Sequence, residues 1–447
     1  MSPHATGRRA VRRSVAAVVP LAVLTALTAA DPASAHPRPG EARVIATATL
    51  GDIPLGTFSN ALLPGTVAED RGVDLGGIGS DIHPVGREGE YWTVTDRGPN
   101  GQIKVDGTKR RTFPVPGFDP AIVRIKVSGD TVRVLRSIPL TTSSGKPVTG
   151  LPNQAERDEA PYSHDARTPL PFDPNGLDTE GVVPAAGGGF WLVDEYGPSL
   201  VHVSARGRVL TRYVPEGLNL TGADYPVVEA LPGVLLHRKV NRGFEGLAQL
   251  PGGDLVLAVQ SPLSLPDKDA GEASRTVRLL RFSPKKKAVT AEYAYRFDPV
   301  AVVDPSEDDT SELKISSVVA AGGDRLLVEE RTDKAARLHL VRLDRGADIL
   351  GDRWDDGATS PSLEQLADPA AAGVPVLSKR LVVDLGTVAG VPGKIEGVAL
   401  VNRDTLALIN DNDFGMTDGA GAFDARGRLV DSGIETKVTY VRLPRGL

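Results

Sequence analysis

The chain has 447 residues, a formal net charge of −6 and no cysteine. The missing cysteine excludes disulfide staples, a thiol nucleophile and thiolate metal ligation. Beyond the N-terminal arginines no basic block exceeds Lys285-Lys286-Lys287, so the sequence carries no electrostatic footprint for nucleic acid.

Residues 1–35 read as a signal peptide. Arg8, Arg9, Arg12 and Arg13 form a positive segment, Val15 to Ala30 is an apolar run without charge, and Ala33-Ser34-Ala35 supplies the small-residue cleavage pattern. The run is shorter than the roughly 20 residues of a comfortable membrane span. The paired arginines admit a twin-arginine reading, which the flanking residues fit poorly, and a membrane-anchored N-terminal helix is the competing reading. The expectation is a secreted monomer without a membrane span, beginning at His36, with residues 36–447 as one domain.

That length exceeds what a single hydrophobic core usually serves, so the chain holds either two domains or a modular fold. Its 49 glycines and 35 prolines, with few amphipathic helical patterns, favour many short strands. Ser362 to Ala371 is the best helical candidate, and the lysine run after Ser283-Pro284 reads as a hairpin turn.

Five segments share one plan: an apolar strand, a Gly-rich turn, a second apolar strand and a polar or acidic cluster. The first runs from Gly76-Gly77-Ile78-Gly79 to Tyr91-Trp92-Thr93-Val94-Thr95-Asp96-Arg97. The second opens at Glu180-Gly181 and ends at Phe190-Trp191-Leu192-Val193-Asp194-Glu195-Tyr196. The third opens at Glu245-Gly246 and ends at Gln260-Ser261. The fourth joins Ile315-Ser316-Ser317 to Leu326-Leu327-Val328-Glu329-Glu330-Arg331. The fifth opens at Glu396-Gly397 and ends at Asn410-Asp411-Asn412-Asp413-Phe414-Gly415.

Such a repeat predicts an all-β chain folded as a single β-propeller of four-stranded antiparallel blades. The copies begin roughly 65 to 80 residues apart, longer than the usual blade of about 40 to 50, so the blades carry insertions. Six blades are expected. The sixth would come from Ile122 to Val134 or from Val227 to Leu236, and Arg43 to Leu50 would close the ring. A doubly wound α/β sheet would need crossover helices, and the connections here are turns.

In a propeller the innermost strands line the axis, so equivalent positions converge. Glu180, Glu245 and Glu396 then share one ring position, with Asp96, Asp194-Glu195, Glu329-Glu330 and Asp411-Asp413 at the ends of the adjoining strands. Two carboxylates about 6 Å apart repel by roughly 3 kcal/mol at an effective dielectric of 20. Several in one place require cations or raised pKa values. Oxygen-only ligation suits Ca²⁺. Turn formation is the competing explanation for the aspartates and asparagines, but turns do not select the glutamate of Glu-Gly.

Asp173-Pro174-Asn175-Gly176-Leu177-Asp178-Thr179-Glu180-Gly181, Asp194-Glu195-Tyr196-Gly197-Pro198, Asn241-Arg242-Gly243-Phe244-Glu245-Gly246 and Asn410-Asp411-Asn412-Asp413-Phe414-Gly415 resemble the secreted phytase-like family, "esterase-like activity of phytase". The resemblance spans about Gly76 to Gly415. It implies a β-propeller and a calcium-dependent hydrolase of phosphoesters or carboxylesters.

The site expected on these grounds has Asp96, Asp194, Glu245, Glu396, Asp411 and Asp413 holding Ca²⁺. Glu180 and Glu195 are the candidate catalytic carboxylates, and Arg97, Arg242 and Tyr196 contact a small-molecule ester substrate. A calcium-stabilised binding propeller and a calcium-dependent lactonase are the alternatives. Serine-hydrolase elbows, P-loops and H-E-x-x-H helices are absent from the sequence. His164 lies on a loop before the second repeat and is a lesser candidate, whereas His202 and His339 fall within apolar strands.

Overall fold

The computed structural model describes residues 40–447; the signal-peptide assignment lies outside the described residues. Strand β1 (Arg43–Leu50) precedes the first blade. That blade runs from β2 (Asp81–Pro84) to β3 (Glu90–Val94). A hairpin, β4 (Gly101–Val105) and β5 (Thr108–Thr112), is inserted before β6 (Ala121–Ser128) and β7 (Thr131–Pro139) complete it. A short β8 (Pro161–Tyr162) pairs with β5.

The second blade comprises β9 (Thr179–Pro184), β10 (Phe190–Asp194), β11 (Ser199–Val203) and β12 (Val209–Pro215), extended by a parallel β13 (Val227–Leu231). The third holds β14 (Phe244–Gln249), β15 (Leu255–Val259), β16 (Thr276–Ser283) and β17 (Ala288–Arg296). The fourth holds β18 (Val318–Ala320), β19 (Arg325–Arg331), β20 (Ala336–Arg342) and β21 (Lys379–Asp384). The fifth holds β22 (Ile395–Asn402), β23 (Thr405–Asn410) and β24 (Lys437–Arg442), and β1 adds its outermost strand by pairing antiparallel with β24.

The propeller therefore has five blades, not six. Both stretches reserved for a sixth are spent elsewhere: Ile122 to Val134 supplies β6 and β7 of the first blade, and Val227 to Leu231 is the extra strand β13. The innermost strands β2, β9, β14, β18 and β22 neighbour one another in a closed cycle. Closure by Arg43–Leu50 holds as expected.

Five apolar clusters fill the five spaces between blades. Val94 and Ile122 meet Val182 and Leu192; Trp191 and Val193 meet Leu255 and Leu257; Val256 and Leu279 meet Leu326 and Val328. Leu327 and Leu338 meet Leu406 and Leu408, and Ala407 and Ile409 meet Ile82 and Val123. This is why the second strands read as unbroken apolar runs: β10 and β15 are buried along their whole length.

The long spacing of the fourth and fifth repeats comes from an insertion between β20 and β21. Ser362 to Ala371, expected as a helix, folds as successive turns, consistent with Pro369 barring a continuous helix. The insertion is anchored on the third blade. Arg278, buried, donates to Glu292 Oε1 at 2.6 Å, to Glu364 Oε1 at 3.0 Å and to the Trp354 carbonyl at 2.9 Å. The lysine run forms the β16–β17 turn, where Lys287 N donates to Ser283 O at 2.7 Å. No helix among the described residues is long and apolar enough to cross a membrane.

One guanidinium facing two buried carboxylates leaves one negative charge over. Burial pushes Glu292 up to about 8, which Arg278 opposes only in part. The folded chain keeps a proton there that the unfolded chain, titrating near 4.5, releases. This contribution is therefore full below pH 4.5 and is lost as pH rises toward 8, by at most about 1.4 kcal/mol per pH unit. Glu292→Gln should flatten the fall in melting temperature between pH 5 and 8; an equally steep fall would refute the assignment.

Candidate functional site

Each inner strand that opens with Glu-Gly carries a β-bulge at the glutamate. Pairing passes from Phe244 to Gly246, from Ile395 to Gly397 and from Thr179 to Gly181, so the glutamate between them has no partner across the ladder. Bulges of this kind re-aim a side chain at the rim of a sheet. The glycine answers a separate demand, because inner strands crowd together at the axis. A Cβ on Gly181 would meet Leu247 Cβ at 2.8 Å, and one on Gly397 would meet the Asp81 carbonyl carbon at 2.9 Å. The repeated dipeptide thus joins an aimed carboxylate to a close strand approach.

Strand register aligns the blades residue by residue. The bulge position holds Ser80, Glu180, Glu245, Ser316 and Glu396 in order around the ring. The position just past the second strand holds Asp96, Glu195, Gln260, Arg331 and Asp411. The last four members of the first ring and all of the second border a cleft of about 650 Å³ or hydrogen-bond to groups that do.

The expected residues divide accordingly. Asp96, Arg97, Glu180, Glu195, Arg242, Glu245, Glu396, Asp411 and Asp413 all line the cleft. Asp194 and Tyr196 do not. One residue before the ring position, Asp194 points into its own blade, where Oδ2 meets Arg212 Nη2 at 2.6 Å and accepts from Ser199 Oγ, while Oδ1 accepts from Asp178 N. Tyr196 is buried behind the cleft and donates its hydroxyl to Gly150 O at 2.9 Å. Alternation along a strand turns neighbouring side chains to opposite faces, and Asp194-Glu195 obeys it.

The same parity separates Glu330 from Glu329 and Arg331. Arg331 takes the ring position. Glu330 joins Tyr295 and Lys379 in a separate network with Asp298 and His339. Glu329 is buried with neither oxygen hydrogen-bonded and is pushed up to about 8, chiefly by burial. His164 packs edge-on to Phe423 and lines no part of the cleft, and His202 stacks on Trp191 at 4.2 Å.

Charge decides what the cleft can hold. Asp178, Glu180 and Glu195 bring one carboxylate oxygen each within 4.8 Å of one another, and Glu180, Glu245 and Glu396 do the same. Burial raises Glu180 well above the carboxylate range, and Asp178, Glu245, Glu195 and Glu396 push the same way. Burial likewise raises Glu195, with Glu245 and Asp178 adding to it and Arg97 and Arg242 opposing. Asp178 Oδ2 and Glu195 Oε1 are buried without a hydrogen-bond donor. Converging carboxylate oxygens, with Glu195 Oε1 unpartnered and Asp178 Oδ2 facing only Arg97 Nη1 at 3.3 Å, match the donor chemistry of a hard divalent cation such as Ca²⁺.

The other acids are matched within the chain. Arg331 pairs with Glu396 and lies 3.7 Å from Glu245. Lys394 pairs with Asp411 at 2.7 Å and with Asp413, and holds Asp411 below its ordinary value against the effect of burial. Arg97 meets Asp178 at 3.3 Å and Asn241. Sequence reasoning missed Asp178, Lys394 and Arg331 as site residues. Their signal was positional: Asp178 and Lys394 each stand two residues before a ring glutamate, and Arg331 stands where the other blades carry Asp, Glu or Gln.

A family model described as phytase-like, esterase-like activity of phytase, matches residues 73–414. The chain belongs to this family. The match to this phytase-like family runs from just before the first blade to the Asn-Asp-Asn-Asp-Phe-Gly segment beside the cleft. An uncharacterized secreted protein of Arthroderma benhamiae is 25% identical over 310 residues, 59% of this chain, and the match covers 59% of that relative's length.

Among solved structures, a luciferin-regenerating enzyme aligns over 83% of this chain and 95% of its own, with 11% identity and a TM-score of 0.35. The PQQ-bound aldose sugar dehydrogenase of Streptomyces coelicolor aligns over 84% and 97%, with 11% identity and a TM-score of 0.33.

The parity of Asp194 and Glu195 gives them opposite energetic signs. Asp194→Ala would leave the buried Arg212 uncompensated and should cost about 3–5 kcal/mol in cation-free urea denaturation. Glu195→Gln removes a mutually repelling carboxylate, so its urea midpoint should equal or exceed that of the unaltered chain. The reverse order would place Asp194 in the site.

Proposed function

We propose that this phytase-like propeller is a secreted, calcium-dependent hydrolase of small ester or phosphoester substrates, acting in the cleft at the axis. The observation that carries the reading is the Asp178–Glu180–Glu195 cluster, whose oxygens converge with Arg97 on Asp178 as their one ion pair and with Glu195 Oε1 buried and unpartnered. The alanine-rich leader, and the resemblance to a relative described as a secreted protein, support export.

Asp178, Glu180 and Glu195 would hold the cation, and Glu180 and Glu195 are then ligands where the sequence alone suggested a general base. A bound Ca²⁺ polarises a carbonyl or phosphoryl oxygen and lowers the pKa of bound water. Arg97 and Arg242, with Lys314 at the same cleft, bind and orient the anionic or carbonyl oxygens of the substrate. Asp96 takes the proton of the attacking water. Its Oδ1 accepts from Gly98 N at 2.8 Å, which leaves Oδ2 for the proton. Burial raises its pKa above the carboxylate range, with Asp411 and Asp178 adding to the effect, and a raised pKa makes a better base near neutral pH.

The test is hydrolysis of p-nitrophenyl phosphate, p-nitrophenyl acetate, phytate and a simple lactone, with calcium and with excess EGTA. Turnover is expected on at least one ester and is lost in EGTA; undiminished turnover in EGTA would overturn the proposal. Asp96→Asn should lower kcat by about 10²–10⁴-fold while calcium affinity stays within a few fold.

A further inference from the structure

Two overlapping groups of carboxylates meet at the axis and share Glu180. They look like two cation sites side by side, but the chain treats them differently. At Asp178–Glu180–Glu195 the buried Glu195 Oε1 has no partner, and Asp178 Oδ2 has only Arg97 Nη1, at 3.3 Å and outside hydrogen-bond geometry. At Glu245–Glu396 a guanidinium is already seated.

Arg331 is 1% exposed and is fixed at each end of its fork. Nη2 pairs with Glu396 and faces Glu245, Nη1 donates to Asp333 Oδ1 at 3.1 Å, and Nε donates to Ser316 Oγ at 2.6 Å. Ser316 in turn donates to Glu245 Oε1 at 3.1 Å, and Gln260 donates to Glu245 Oε2. The fourth blade thus departs from the repeat at both ring positions. It puts Ser316 where three blades have glutamate, and Arg331 where the others have Asp, Glu or Gln. A guanidinium cannot be deprotonated at any working pH, so this positive charge is permanent.

We propose that Arg331 is the resident cation of the Glu245–Glu396 side, so that the cleft takes one divalent cation, at Asp178, Glu180 and Glu195, and not two. The inference rests on the metal reading above and adds its stoichiometry and location. A second divalent ion would have to displace a buried guanidinium hydrogen-bonded through each of its three nitrogens, or sit against it. Arg331 consequently does the charge work of a second metal: it holds Glu245 and Glu396 in place.

The experiment is calcium titration of the metal-stripped full chain by calorimetry, with bound metal counted after equilibrium dialysis. One ion per chain is expected. Glu195→Gln should weaken its binding at least 100-fold, Glu396→Gln less than tenfold, Arg331→Lys should keep one ion, and Arg331→Met should admit a second. Two ions on the unaltered chain would overturn the inference and leave the metal reading standing, whereas loss of the single ion in Glu396→Gln with Glu195→Gln unaffected would overturn the inference and move the cation off the cluster that carries that reading. No ion on the unaltered chain would overturn both. A folded Arg331→Met chain, judged by circular dichroism, that still binds one ion would also overturn it. If that variant does not fold, the count on the unaltered chain and the Glu396→Gln result decide.

Discussion

Mutual repulsion among carboxylates on a closed ring is the constraint that organises this molecule. Five blades bring five inner strands to one axis, and the side chains at their bulge positions must share a small, poorly solvated space. Three of those are glutamates, and Asp96, Asp178, Glu195 and Asp411 stand close by. At an effective dielectric near 20 each close pair opposes folding by a few kcal/mol. The chain answers with placed cations on one side and with raised pKa values on both, since burial also lifts Glu396 to about 8 against Arg331 and Lys394.

The answer is asymmetric around the ring. Arg331 and Lys394 neutralise the arc formed by the third, fourth and fifth blades. The arc of the first and second blades keeps only Arg97 against Asp178, and leaves Glu180 and Glu195 to repel each other. Raised carboxylate pKa values at this arc are the counterpart of the charges that no side chain there balances. The apolar spaces between blades supply the rigidity that holds the acids together, with β10, β15 and β23 buried on both faces.

The stability of the scaffold is likewise a matter of how buried charges are paired. Arg212, Arg278 and Arg331 are among the largest fully buried side chains, and each sits beside at least one carboxylate. Without disulfides, these arginines tie strands to loops that have no ladder of their own: Arg212 reaches Asn153 and the Tyr196 carbonyl, and Arg278 reaches the long insertion. Guanidinium suits this work because its planar fork satisfies several acceptors at once.

The repeat of strand, turn, strand and acid was legible in the sequence because each blade must bury the same two faces, and so was the closure by Arg43–Leu50. Glu180, Glu245 and Glu396 were legible as one ring because Glu-Gly recurs where an aimed side chain must precede a close strand approach. The blade count was not, since insertions lengthen the repeat and outer strands such as β6, β7 and β13 carry the same apolar pattern as a further blade. Nor was the choice between Asp194 and Glu195, or among Glu329, Glu330 and Arg331. A one-residue step along a strand reverses the face, and only the bulges and the register determine which of the adjacent charges reaches the axis.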